Sequence, residues 1–160
     1  MDRAEFVKQL LQAIDKDLKR RRPLEGRVLI AMADGSLAEF PYVRTKPRED
    51  EALMRQRDVI ANVIFGARGQ GLLRFCAFVG FGGSPETAHD QIEYLMIATI
   101  APNGMTTMAR YRMRRQGDQW KRDHRFKEPK EAPVREVFDW LAPAFELTPP
   151  ARWDGMKVRP

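Results

Sequence analysis

Residues 91–126, QIEYLMIATIAPNGMTTMARYRMRRQGDQWKRDHRF, decide the fold. Two turn dipeptides, Asn103-Gly104 and Gln116-Gly117, bracket a run of strand length. Asn-Gly is the strongest short signal for a tight hairpin, because such turns need positive φ at their centre. Residues 91–101, 105–114 and 118–126 therefore read as a three-stranded antiparallel meander.

Register then decides which side chains are neighbours. If each dipeptide is itself the turn, Tyr111 faces Met96 and Arg122, and Met113 faces Tyr94 and Trp120. One face collects Tyr94, Met96, Ala98, Ile100, Tyr111, Met113 and Trp120, which reads as core. The other collects Glu93, Leu95, Ile97, Arg110, Arg112, Arg114, Lys121 and Asp123. On it Arg114 meets Glu93 and Arg110 meets Asp123, while Arg112 opposite Lys121 is a like-charge pair that an outside anion would relieve. A one-residue slip in the second turn re-pairs these groups. The alternation of Tyr111 and Met113 with the three arginines survives it.

Upstream, residues 72–81 are apolar on both faces, as in a central strand, and contain the lone cysteine, Cys76, expected to be a buried thiol. Gly82-Gly83-Ser84-Pro85 breaks that strand. At the start, Val7, Leu10, Leu11, Ile14 and Leu18 form one stripe at helical period, with Asp2 and Glu5 spaced as a capping box. Asp34-Gly35 between two apolar runs marks a hairpin, and Pro41 asks for an edge position. A second helix spans about 47–65, its inner face Leu53, Gln56, Ile60, Val63 and Ile64, ended by Gly66. Pro133 opens a last helix carrying Val134, Val137, Phe138 and Leu141 as far as Pro143. The order is α-β-β-α-β-β-β-β-α: an α+β fold in which helices pack on one face of an antiparallel meander sheet. Residues 1–147 form a single domain and 148–160 a tail rich in proline and charge.

In element order alone this is similar to the curved-sheet domains of the nuclear-transport-factor-2-like class and to small secretion-chaperone domains. Likeness of fold carries no function, and the basic charge departs from the acidic character usual in those chaperones.

Composition narrows the function classes. With 43% apolar and 31% charged residues the chain is globular, and one cysteine permits no internal disulfide. No leader pattern opens the sequence and no run is long enough to span a membrane, so the expected address is the cytoplasm. The net charge is +6, and residues 105–130 alone carry nine Lys/Arg against three acids. Phosphate backbones attract such arrays, with Trp120, His124 and Phe126 nearby as stacking groups. The same residues can simply solvate an outer sheet face.

Catalytic signals are thin. The segment 66–71, Gly66-Ala67-Arg68-Gly69-Gln70-Gly71, follows a helix and precedes a strand, the reverse of a phosphate loop, and reads as an αβ connection. His89-Asp90 near Glu93 reads as a polar turn, and His124 and Asp123 point to opposite faces of a strand. No catalytic, cofactor or metal set is expected. Three functions follow. The first is a non-catalytic, self-associating protein-interaction domain, using Leu95, Ile97 and the aromatics Trp140, Phe145 and Trp153. The second is nucleic-acid or polyanion binding through Arg110, Arg112, Arg114, Lys121, Arg122 and Arg125. The third is a small-molecule carrier or enzyme with a pocket of Tyr94, Met96, Tyr111, Met113 and Trp120.

Overall fold

The computed structural model describes residues 2–20, 25–42, 51–82 and 94–147, without the side chains of 53 and 124–128. The elements are α1 (Arg3–Lys19), β1 (Arg27–Met32), β2 (Leu37–Pro41), α2 (Glu51–Gly69), β3 (Leu73–Gly82), β4 (Tyr94–Ile100), β5 (Met105–Gln116), β6 (Gln119–Pro133), α3 (Val134–Val137) and α4 (Ala142–Glu146), with a 3-10 turn (Asp139–Leu141) before α4. This is the α+β order that the sequence predicts. The six strands form one antiparallel sheet in the order β2-β1-β3-β4-β5-β6. Proline at the end of β2 sits on an edge strand, where its missing N–H costs no ladder bond.

The helices cover both faces of the sheet rather than one. α1 lays Phe6, Leu10, Ile14 and Leu18 on Leu29, Ala77, Val79, Leu95 and Ile97. α2 and the C-terminal elements cover the reverse side, where Ile60, Ile64, Leu141 and Phe145 meet Val28, Ile30, Cys76, Phe78 and Ile100. A strand with apolar residues on both faces, such as β3, requires cover on both. Each of the large α1 side chains buried this way contributes about 1.5–3 kcal/mol. The Asp2 carboxylate caps the helix by accepting from the Glu5 N–H at 2.8 Å. Two ion pairs hold its C-terminal half across the sheet, Asp15 to Arg122 of β6 and Asp17 to Arg27 of β1.

Glycine 66 does not end α2. The helix continues to Gly69, so most of the supposed αβ connection is helical. Gly71 supplies the positive φ of its cap, and Leu72 N–H to Ala67 C=O with Gly71 N–H to Arg68 C=O completes a Schellman motif. Arg68 donates to the carbonyls of Ala144 and Leu147, tying α2 to α4. The last predicted helix is broken into α3, the 3-10 turn and α4, and Pro143 starts a helix instead of stopping one, as its fixed φ and missing N–H allow in a first turn.

The β4–β5 hairpin uses three loop residues, not two. Gly104 N–H bonds the Ala101 carbonyl (2.8 Å), Ala101 N–H bonds the Met105 carbonyl (3.0 Å), and Gly104 takes φ +87°. The two-residue turn would pair Pro102 with Met105 and require an N–H that proline lacks. The extra residue slips the register by one, so Tyr111 faces Leu95 and Arg110 faces Met96. The β1–β2 hairpin repeats the device: Gly35 N–H bonds the Met32 carbonyl, with Asp34 accepting from the N–H and hydroxyl of Ser36. Those two bonds hold the Asp34 carboxyl below its ordinary range.

Candidate nucleic-acid interface

The slip exchanges the partners of the basic residues. Tyr111 and Met113 turn toward α1 with Leu95 and Ile97, and all four are buried there. Arg110, Arg112 and Arg114 turn to the α2 side, onto the strand ends beyond Met96 where no described helix packs. Lys121 joins them as the direct partner of Arg114. All four are exposed. Side chains two apart on a strand stand about 6.8 Å apart, so the three arginines form an evenly spaced row.

Tyr94 lies within this row. The Arg110 guanidinium sits over its ring, 4.6 Å from the centroid, and the ring rests on Gly82 of β3, where a Cβ would lie 3.1–3.2 Å from its atoms. Gly80, the neighbour of Met96 in register, has open space where a side chain would stand. Asp123 is the one acid of this surface among the described side chains, 3.8 Å from Arg114. The second hairpin turns at Gly117-Asp118, so Gln116 faces Gln119 and Met113 faces Arg122; Arg114, not Arg112, stands opposite Lys121, and Arg114, not Arg110, pairs with Asp123.

The other basic candidates lie elsewhere. Arg122 points to α1, where its Nε and Nη2 bond Asp15 at 3.1 and 2.8 Å and its guanidinium covers the Tyr111 ring at 5.1 Å. Burial pushes the Tyr111 hydroxyl above its ordinary range, and the nearby Arg122 charge opposes that shift. Arg125, His124 and Phe126 belong to β6, with side chains outside the described set. Trp120 lies on the α1 side under Arg115, so Tyr94, not Trp120, is the aromatic ring beside the arginine row.

The five predicted pocket residues do not converge: Tyr94 and Met96 are on one face of the sheet, Tyr111, Met113 and Trp120 on the other. The apolar groups expected at a self-association surface are covered as well. Leu95, Ile97 and Phe145 are buried. Trp140 packs against Phe78 and stacks on Tyr42, with Arg57 over its ring. Trp153, His89, Asp90 and Glu93 lie outside the described residues, as does the tail from residue 148. Cys76 is fully buried, and desolvation pushes its thiol far above the range in which a thiolate forms. Among the described residues no three His, Cys, Asp or Glu side chains are grouped as a metal site, and no helix is long and apolar enough to cross a membrane.

Compared with known protein families, curated proteins and solved structures, the chain matches none.

Proposed function

We propose that the protein binds the phosphate backbone of nucleic acid through the open face of β4–β6. One observation carries the reading: Arg110, Arg112, Arg114 and Lys121 are exposed on one face of the sheet with a single described acid, Asp123. A surface that merely solvates a sheet is served as well by mixed signs, with opposite charges across strands. Here a direct cross-strand pair is Arg114–Lys121, offset by Asp123 alone, and a phosphate beside the two adds the negative charge that the surface lacks. Tyr94, stacked under Arg110, holds that guanidinium in place on the surface.

Self-association, the leading expectation from the sequence, is supported less well, because Leu95, Ile97 and Phe145 are buried. Charge reversal tests the polyanion reading. Arg112→Glu with Arg114→Glu changes exposed residues only, so the fold should persist. Fluorescence anisotropy of a labelled oligonucleotide should show binding to the native protein and at least a tenfold loss in the double variant. Equal affinity for the two proteins would refute the assignment.

A further inference from the structure

On the opposite face α1 is narrower than the sheet that it covers. Between it and β4–β6 runs a groove of about 370 Å³. Volumes of this order hold small molecules. Val7 and Leu11 of α1 form one wall, and Ile97 and Ala109 form the floor. Thr99 and Thr107, directly paired across β4 and β5, add two hydroxyls to that floor.

The charge of the lining is one-sided. Arg3 and Lys8 stand on α1 at the rim, both exposed. Asp15 is the one acid among the described lining residues, and Arg122 already holds it through two hydrogen bonds. Among the described residues no carboxylate pairs with Arg3 or Lys8. An apolar trough beneath two available cations is complementary to a molecule with an apolar chain and an anionic head.

We infer that this groove binds a medium-chain carboxylate, its chain along Val7, Leu11, Ile97 and Ala109 and its carboxylate at Arg3 and Lys8. The α1 face is independent of the arginine row, so the two sites are tested separately. Val7 and Leu11 are only half buried, although they fall on the apolar stripe of the helix. A role as groove wall accounts for apolar side chains left at that depth.

The test is isothermal titration of the whole protein with decanoate and with 1-decanol. Decanoate should saturate a single site, and decanol should bind at least tenfold more weakly. Ala109→Leu, which fills the floor, should abolish decanoate binding. Arg3→Glu with Lys8→Glu, both exposed and harmless to folding, should weaken it at least tenfold while oligonucleotide affinity stays unchanged. Absence of saturable decanoate binding to the native protein would overturn the inference. So would undiminished binding in the Arg3/Lys8 variant, whatever the Ala109 variant does.

Discussion

Arg122 of β6 holds Asp15 of α1 through two parallel hydrogen bonds, 3.1 and 2.8 Å long, across 107 residues of chain. The arginine side chain is only 9% exposed and the aspartate 37%. Removing the acid leaves a largely buried cation without its partner, the costly half of such a pair. Asp15→Ala should therefore destabilise the protein by about 1–3 kcal/mol, read by urea unfolding. The value lies below that for a fully buried pair because water reaches Asp15. Replacing both residues by leucine should recover much of the loss. Asp15→Ala within about 0.5 kcal/mol of the native protein would mean that the pair contributes nothing.

The second prediction concerns Gly104. Its φ of +87° suits glycine, and a Cβ there would touch Phe145 and Val134 at 3.5 Å. Gly104→Ala should cost about 1–2 kcal/mol through backbone strain, with the contact itself adding little. Thermal unfolding gives the answer. An unchanged melting temperature would show that the loop relaxes into another turn.

That loop also shows where the sequence ran out. Both hairpin turns near Asp34 and Asn103 are visible as Asx-Gly, and the strands on either side of each follow from them. Loop length is the harder quantity. Pro102 held the information, because a residue without an N–H cannot close a two-residue turn as its flanking strand residue. Reading Asn103-Gly104 alone gives a register wrong by one, and a shift of one turns every side chain of β5 to other partners. The alternation of Arg110, Arg112 and Arg114 against Tyr111 and Met113 was legible throughout, since a strand has period two whatever its register.

Thr106 provides a third test. It is fully buried, and its hydroxyl has no hydrogen-bond partner among the described residues. Thr106→Val keeps the shape and removes the unsatisfied group. It should be neutral or stabilising by about 1 kcal/mol. Destabilisation by more than about 1 kcal/mol would mean that the hydroxyl is satisfied in solution.

The basic surface was legible in kind and not in membership. The excess of cations over residues 105–130 stands in the composition, and four of the six named residues fall on one surface. Arg122 left that set because Asp15, far away in sequence, captures it; no local pattern announces such a pair. Tyr94 entered beside the arginines through the same slip that sent Tyr111 beneath α1. Leu95 and Ile97, apolar residues on a strand facing cations in the two-residue reading, are covered by a helix whose docking side the sequence does not encode locally.

The central claim is that the arginine row meets phosphates, and salt dependence measures this most directly. Binding of a single-stranded oligonucleotide by the native protein should weaken linearly in log Kd against log salt. Four contacts from Arg110, Arg112, Arg114 and Lys121 give a slope of magnitude about 3 for single strands. Arg112→Glu should lower that magnitude by about one or more. Absence of binding even at the lowest salt, or binding with a flat salt dependence, would contradict the account and leave these arginines as the solvated edge of a sheet.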